Sequence, residues 1–289
     1  MSRIAYVNGR YVPFAQASVA IEDRGFQFAD GVYEVCAIRD GALIDEAPHL
    51  ARLERSVGEL KMRAPVGSRQ LAHIMRETVR LNRVREGLVY VQVSRGVARR
   101  DHGFPAASVK PTLVVTARSL NFARYAQLAE TGIAVVTRPE ARWARCDIKS
   151  TGLLPNVLAK QAAREAGAFE AWFVDRDGLV TEGASTTAWI VDETGVLRTR
   201  ALDHAILPGV TRAEIIPFCR QLGVEFAERA FTVDEAKRAR EAFISAASFG
   251  VLPVTRIDGT SIGGGKPGLI AAEVAKVYWS SRIVKPQPQ

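Results

Sequence analysis

Apolar and polar residues alternate along the first half of the chain in a pattern that predicts a sheet with two helices. Apolar segments flank Asn8-Gly9 and Asp40-Gly41, the dipeptide type that favours a tight β-hairpin. Helices are predicted where apolar residues recur every three or four positions. The predicted elements are hairpins over 4–12 and 32–44, helices over 48–61 and 70–81, and strands over 87–94 and 111–117. These elements predict an α+β unit.

The second half of the chain mixes strands and helices. The predicted strands are 132–137, 170–174, 186–191, 242–245 and 253–257, and the predicted helices are 154–166, 211–222 and 268–280. Residues 119–127 have the weakest periodicity. We therefore predict a small N-terminal domain over 1–118, an interdomain loop over 119–127 and a larger domain over 128–289. Residues 285–289, where Pro and Gln alternate, are expected to be irregular.

Composition narrows the class of protein. Apolar residues make up 47% and charged residues 24% of the 289, as in ordinary globular proteins. The net charge is +8, but no basic stripe interleaved with aromatic residues accompanies it, which argues against nucleic-acid binding. Three cysteines without paired spacing favour a reducing compartment. With no signal pattern and no apolar run of spanning length, we expect a soluble, cytoplasmic protein without membrane partners.

Three short segments could carry chemistry, although each has a simpler interpretation alone. Lys149 precedes a turn of small residues, Glu182 precedes Gly183, and Gly209 and Thr211 open a predicted helix. Taken singly, these would be a solvated lysine, a surface acid and an ordinary helix cap. No His, Cys, Asp or Glu cluster has metal-ligand spacing, so no metal site is expected. Taken together, a lysine amine, a carboxylate and an anion site at a helix N-terminus are what pyridoxal 5'-phosphate (PLP) needs.

Four motifs in the same order resemble those of class IV PLP-dependent aminotransferases. They are EDRGFQFADGVYEV at 22–35, RCDIKS at 145–150, TEG at 181–183 and LPGVTR at 207–212. The resemblance covers nearly the whole chain. It implies fold type IV, with a small α+β N-terminal domain and a larger mixed α/β, barrel-like C-terminal domain. It also implies a homodimer with the cofactor between the two domains of a subunit.

The resemblance also implies which residues hold the cofactor. Lys149 corresponds to the lysine that forms the Schiff base with PLP and then carries the proton to and from the substrate α-carbon. Glu182 corresponds to the partner of the pyridine nitrogen. The residues matching the family's phosphate site are Arg52, Val210, Thr211 and, through its backbone N–H, Ala247.

A further stretch bears on the substrate. Residues 95–105, RGVARRDHGFP, resemble the Arg-x-His loop with which D-amino-acid transaminases hold the substrate carboxylate. By this resemblance Arg100, His102 and the Tyr33 hydroxyl bind the carboxylate, because an Arg fork matches it in a bidentate way. Arg99 is an alternative to Arg100. The expected reaction transfers the amino group of a D-alanine-type amino acid to 2-oxoglutarate, giving a 2-oxo acid and D-glutamate.

Other interpretations stay open at this point. Thr187, Phe26 and Ala29 depart from the family pattern, which bears on the shape of the substrate pocket. A branched-chain L-amino-acid transaminase is the main alternative, although such enzymes usually lack the Arg-x-His pair, and aminodeoxychorismate lyase is a third member of the same fold. A binding protein that lost catalysis would not need the intact lysine and glutamate. A nucleic-acid-binding module would require affinity that falls steeply with salt.

Overall fold

The computed structural model describes residues 3–282, which fall into two compact units. Unit 1 comprises Met1–Asn121 and Ile148–Gly152, and unit 2 comprises Phe122–Asp147 and Leu153–Gln289. Residues 285–289, expected to be irregular, lie outside the described range. Within that range no helix has the length and apolar character needed to cross a bilayer.

Unit 1 is an antiparallel sheet with helices, as the apolar pattern predicts. Its elements are β1 Ile4–Val7, β2 Arg10–Pro13, α1 Arg24–Phe28, β3 Gly31–Arg39, β4 Ala42–Leu43, α2 Glu46–Glu59, α3 Ser68–Asn82, β5 Gly87–Ser94 and β6 Thr112–Ser119. In the described part of the chain the sheet has the order β2-β1-β6-β5-β3-β4. Every neighbouring pair is antiparallel. The α+β prediction for this unit is confirmed.

Both predicted hairpins are confirmed. Asn8 and Gly9 join β1 to β2 with φ values of 45° and 94°, the left-handed conformation that Asn and Gly adopt most readily. Asp40 and Gly41 join β3 to β4 in the same way. Helices α2 and α3 pack against the sheet and bury their apolar stripe, with Leu53 and Met75 at 4% and 0% exposed. This packing fixes β3, which carries the candidate residue Tyr33.

The expected interdomain loop over 119–127 is wrong as secondary structure. Strand β6 ends at Ser119, and helix α4, Phe122–Thr131, begins three residues later. Its residues Tyr125 and Leu128 pack against a buried apolar cluster of unit 2. That tertiary packing stabilises the helix. A second difference is that Ile148–Gly152, assigned by sequence to the larger domain, belongs to unit 1.

Unit 2 is built on a mixed sheet. After α4 its elements are β7 Ile133–Pro139, α5 Leu154–Glu165, β8 Glu170–Val174, β9 Val180–Gly183, β10 Thr187–Val191, β11 Leu197–Thr199, α6 Val210–Gln221, β12 Phe226–Glu228, α7 Val233–Arg238, β13 Glu241–Ala246, β14 Gly250–Ile257, β15 Thr260–Ser261 and α8 Leu269–Ser280. Over the described residues the strand order is β12-β11-β10-β13-β14-β7-β8-β9, with β15 beside β14. The pairs β11/β12, β14/β7 and β7/β8 are parallel.

Strand β9 was not predicted, although it carries the TEG motif. All four of its residues are buried, and it pairs with β8. Three of them are Thr181, Glu182 and Gly183, whose polar or small side chains give no apolar signal in the sequence. The interpretation of this motif as a surface turn is therefore excluded.

Candidate functional site

Lys149 lies on the short segment Ile148–Gly152 that extends along β3 within unit 1. The N–H of Tyr33 donates to the Lys149 carbonyl at 2.9 Å, and the N–H of Thr151 donates to the Gly31 carbonyl at 2.9 Å. The backbone N–H of Lys149 also donates to the buried Ser56 hydroxyl at 3.4 Å. These bonds fix the main chain on both sides of the lysine. Its Nζ lies 4.3 Å from the centre of the Tyr33 ring.

A buried charged cluster lies one residue further along β3. Arg52 on α2 makes a two-pronged hydrogen bond to Glu34, with Nε–Oε2 at 2.9 Å and Nη2–Oε1 at 2.7 Å. His49 Nδ1 lies 3.0 Å from Glu34 Oε1. Burial alone would raise the pKa of Glu34, but Arg52 and His49 hold it well below its ordinary value of 4.5. Glu34 is therefore a carboxylate that orients Arg52, the predicted phosphate ligand.

The Tyr33 ring stacks on a second tyrosine of the same sheet. The rings of Tyr33 and Tyr90 are 5.6 Å apart, and the Tyr90 hydroxyl donates to Gln92 Oε1 at 2.7 Å. Burial, with a contribution from Tyr33, raises the pKa of Tyr90 to about 12. Tyr90 is therefore a neutral phenol at physiological pH, and its ring limits where the Tyr33 side chain can move.

Arg100 and His102 occupy the exposed loop between β5 and β6, and both contact Phe28. The Arg100 guanidinium lies 4.8 Å from the centre of the Phe28 ring, and the His102 ring lies 5.5 Å from it. Arg99 is also exposed, and the structure records no such contact for it among residues 3–282. The shared contact favours Arg100 over Arg99 as the ordered cation.

The predicted residues of unit 1 thus form two groups. Lys149 and Tyr33 are together at the start of β3, with the Arg52 cluster beside them. Arg100 and His102 are together on Phe28. Within the described residues of the single chain, no recorded contact joins Tyr33 to the Arg100–His102 pair.

In unit 2, Glu182 is held by a buried arginine. Arg142 donates through Nη1 to Glu182 Oε1 and through Nε and Nη2 to Glu140 at 2.9 and 2.7 Å. The N–H of Leu207 also donates to Glu182 Oε1, at 3.2 Å. Burial alone would lower the pKa of Arg142, yet Glu140 and Glu182 raise it above its ordinary value. Arg142 is therefore a permanent cation that fixes the Glu182 side chain.

The N-terminus of α6 has the features of an anion site. Its N-cap residue is Gly209, and no side chain caps the first turn, so the amides of Val210 and Thr211 are open to an acceptor. The Thr211 hydroxyl is buried and has no hydrogen-bond partner among residues 3–282. A Cβ at Gly209 would lie 3.0 Å from the Thr187 hydroxyl, so only glycine fits without a shift. An unsatisfied hydroxyl beside two amides suits the oxygens of a phosphate group.

Ala247 lies in the turn between β13 and β14, where it is half-buried. Helix α6 packs against β13, so the turn and the α6 N-terminus belong to the same part of the unit 2 framework. Because alanine has no polar side chain, the backbone N–H of Ala247 is the donor that it can offer to a ligand.

A cleft of about 670 Å³ borders the Arg142 cluster in unit 2. Its lining includes Glu140, Arg142, Cys146 and His204. Burial raises the pKa of Cys146 to about 12, so this thiol is not a nucleophile at physiological pH. The cleft therefore gives access to the charged cluster.

Sequence reasoning missed several residues that hold the site. Arg142 binds Glu182, Glu140 binds Arg142, and Glu34 binds Arg52. Arg24 binds the Arg100–His102 loop. Their partners are 40 residues away for Arg142 and 77 for Arg24, so no local periodicity marks them. Arg24 and Glu34 both lie inside the first motif, which is a signal that could have drawn attention to them.

Comparison with known proteins identifies close relatives of this arrangement. Residues 31–257 match the family model described as amino-transferase class IV. The chain is 40% identical over 274 residues to a D-alanine aminotransferase of Bacillus licheniformis, covering 95% of each chain. It is 37% identical to that of Staphylococcus haemolyticus, covering 94% of this chain and 95% of the relative.

A solved structure shows a similar fold. It is the branched-chain aminotransferase of the thermophilic archaeon Thermoproteus uzoniensis with norvaline, at a TM-score of 0.83 and 25% identity. The match covers 96% of this chain and 94% of that one. This similarity confirms the predicted type IV fold.

Proposed function

The chain belongs to the class IV aminotransferases, and we propose that it transfers the amino group of a D-alanine-type amino acid to 2-oxoglutarate. The products are a 2-oxo acid and D-glutamate. The observation that carries the proposal is the pair Arg100 and His102, which present two polar groups from one loop on the Phe28 ring. The relatives named D-alanine aminotransferase support the same substrate class.

Class IV aminotransferases depend on PLP, so the enzyme class and the cofactor predicted from the sequence are confirmed. When bound, PLP draws electron density away from the substrate α-carbon and so makes its proton acidic. We propose that six residues hold it: Lys149, Arg52, Glu182, Val210, Thr211 and Ala247.

The proposed role of Lys149 is to bind the cofactor and to move a proton at the substrate α-carbon. The backbone bonds around it fix its main chain, and its Nζ lies 4.3 Å from the centre of the Tyr33 ring. An amine positioned in this way can carry a proton to and from a reacting group. Glu182 is proposed to accept the hydrogen bond of the ring nitrogen, in an orientation that Arg142 and the Leu207 N–H set.

The phosphate is proposed to bind at the α6 N-terminus and Arg52. The unsatisfied Thr211 hydroxyl and the amides of Val210 and Thr211 supply donors, and the helix dipole favours a negative charge there. Arg52 adds a guanidinium whose direction is set by Glu34. The Ala247 N–H is proposed as a further donor.

Arg100, His102 and the Tyr33 hydroxyl are proposed to bind the substrate carboxylate. An Arg fork and a second donor fix a carboxylate in one plane. The position of the carboxylate then decides which enantiomer turns its α-hydrogen towards Lys149. We also propose a cytoplasmic homodimer, which sedimentation of the purified protein would test by its mass.

A branched-chain L-amino-acid transaminase is the second candidate. The observation in its favour is the similarity to the Thermoproteus uzoniensis enzyme over nearly the whole chain. That similarity concerns the framework, whereas the two candidates differ in where the cation for the carboxylate lies. A substrate test separates them directly.

The test is a visible absorption spectrum of the purified holoenzyme, with D-alanine and with L-leucine in separate cuvettes. Loss of the cofactor band with D-alanine only, reversed by 2-oxoglutarate, is the expected result. Loss of the band with L-leucine only would support the branched-chain candidate instead.

Arg100→Gln and Arg99→Gln form a matched pair of variants. Only Arg100→Gln is expected to raise the KM for D-alanine, by about tenfold or more.

A further inference from the structure

The loop that carries Arg100 and His102 is bound to the first sequence motif by backbone contacts. The N–H of Arg24 donates to the Gly96 carbonyl at 2.9 Å, and the N–H of Ala98 donates to the Glu22 carbonyl at 3.3 Å. Asp23 and Val97 form an isolated β-bridge. These contacts hold the first residues of the loop but do not reach residues 100–102.

Arg24 extends this attachment to the part of the loop that matters for substrate. Its Nη1 donates to the Asp101 carbonyl at 2.6 Å, and its Nη2 lies 3.5 Å from the His102 carbonyl. Arg24 is 3% exposed, whereas Asp101 and His102 are exposed. A buried cation thus binds the main chain of an exposed loop. The main contact is at Asp101, between Arg100 and His102, the two residues that the proposed function assigns to the substrate carboxylate.

The guanidinium of Arg24 is itself fixed. Its Nε donates to Asp30 Oδ2 at 2.8 Å, and Arg95 donates to both oxygens of the same carboxylate at 2.7 and 2.8 Å. Burial would raise the pKa of Asp30, but Arg95 and Arg24 lower it. Asp30 therefore stays ionised and holds the two arginines side by side.

Phe28, four residues after Arg24 on α1, completes the support. The Arg24 guanidinium lies 4.8 Å from the centre of the Phe28 ring, the same separation as that of Arg100. The His102 ring contacts the same phenyl ring. Arg24 therefore holds the loop's main chain, while Phe28 holds the side chains on either side of Asp101.

We propose that Arg24 is a positioning residue for substrate specificity: it holds the 100–102 loop in the conformation that binds the α-carboxylate. This inference rests on the proposed function of Arg100 and His102. A loop held in its binding conformation before substrate arrives loses less entropy on binding. Loss of Arg24 should therefore weaken binding of carboxylate substrates and leave the cofactor chemistry intact.

The test compares Arg24→Gln and Arg24→Lys with wild type and with Arg80→Gln, which changes an exposed arginine on α3. The lysine variant keeps a positive charge beside Asp30, so it should fold even if the glutamine variant does not. Its single amine cannot reach both carbonyls, so it still tests the proposal. For both Arg24 variants the KM for D-alanine is expected to rise about tenfold, with kcat changed less than about threefold. Arg80→Gln should match wild type.

Two further measurements separate positioning from general damage. Hydroxylamine reacts with the bound cofactor without a carboxylate, so its rate should be unchanged in the Arg24 variants. Trypsin cleavage after Arg99 and Arg100, followed by mass spectrometry in the presence and absence of cofactor, should be faster in them, because the loop is released.

The outcomes are distinct. An unchanged KM for D-alanine and unchanged cleavage at the loop would overturn the positioning role. Equal loss of the D-alanine and hydroxylamine reactions would also overturn it, since that pattern means general structural damage. If wild type reacts with hydroxylamine and L-leucine but not with D-alanine, the proposed function fails independently of Arg24.

Discussion

The charged cluster of unit 1 and the anion cup of unit 2, which is the α6 N-terminus with Thr211, differ in whether their polar groups have partners. In unit 1, Glu34, Arg52 and His49 bind one another, and the cluster is buried. In unit 2, the Thr211 hydroxyl is buried without a partner, beside an uncapped helix N-terminus. The first arrangement is stable without a ligand, whereas the second carries an energetic cost that an anion would remove.

The largest effect is expected at Lys149, which belongs neither to the charged cluster of unit 1 nor to the anion cup of unit 2. Lys149→Ala is expected to lower turnover with D-alanine by about 10⁴-fold or more, because the proton carrier is lost. The cofactor's visible band should change as well, which a spectrum of the same sample will show. Lys276→Ala, an exposed lysine on α8, is the matched control. Normal turnover in Lys149→Ala would remove this residue from the proposed role.

The unit 1 cluster can be broken at Glu34. Glu34→Gln is expected to lower the free energy of unfolding at pH 7 by about 3 kcal/mol, since it leaves buried Arg52 without its carboxylate. The folded pKa of Glu34 is below the ordinary 4.5, so its stabilisation is present above that pH and is lost as the pH falls below it.

The measurement for Glu34 is urea unfolding at several pH values. The difference between wild type and Glu34→Gln should narrow as the pH falls from 5 towards 3. Glu77→Gln, on the exposed face of α3, should leave the free energy of unfolding nearly unchanged. A difference that stays constant with pH would contradict the assignment of the charged form to Glu34.

A substitution of Glu182, the carboxylate in unit 2, tests whether this residue takes part in the chemistry. Glu182→Gln should retain cofactor but lower kcat with D-alanine by about 100-fold, because a neutral amide holds the ring nitrogen's proton less strongly. Pre-steady-state absorption would place the loss in the proton-transfer step. Glu193→Gln changes an exposed acid and should behave as wild type. A near-normal kcat would limit Glu182 to a structural partner of Arg142.

The smallest effect is expected at Thr211, where the difference between the charged cluster and the anion cup is tested most directly. Thr211→Val removes the unsatisfied hydroxyl, so the protein without cofactor should become more stable by about 1 kcal/mol, while cofactor affinity falls about tenfold. Thr199→Val is the control, because the buried Thr199 hydroxyl donates to the Ala188 carbonyl at 2.8 Å. That variant should lose stability instead. Thermal unfolding with and without cofactor measures both the stability and the cofactor affinity. If Thr211→Val without cofactor loses stability, the buried hydroxyl of the anion cup does not destabilise the protein.

Local features were predictable where a few adjacent residues decide the structure. The hairpins at Asn8-Gly9 and Asp40-Gly41 follow from turn chemistry, and α2 and α3 follow from their apolar spacing. Strand β9 and helix α4 were missed because neighbouring elements stabilise them. A buried polar strand has no apolar pattern to read, and α4 gains its stability from packing.

The sequence by itself determined the kinds of chemical group and their order: a lysine, a carboxylate and a Gly-x-Thr helix start. Each is a local motif, so its residue types are legible without a fold. Tertiary structure decided what each group faces. Arg142 meets Glu182 across 40 residues, and Arg24 meets Asp101 across 77. Such partners become neighbours only when strands and helices pack. A buried charge needs a counterion, as Arg142 has in Glu182, or an acceptor, as Arg24 has in the Asp101 carbonyl, and the fold decides where one is found.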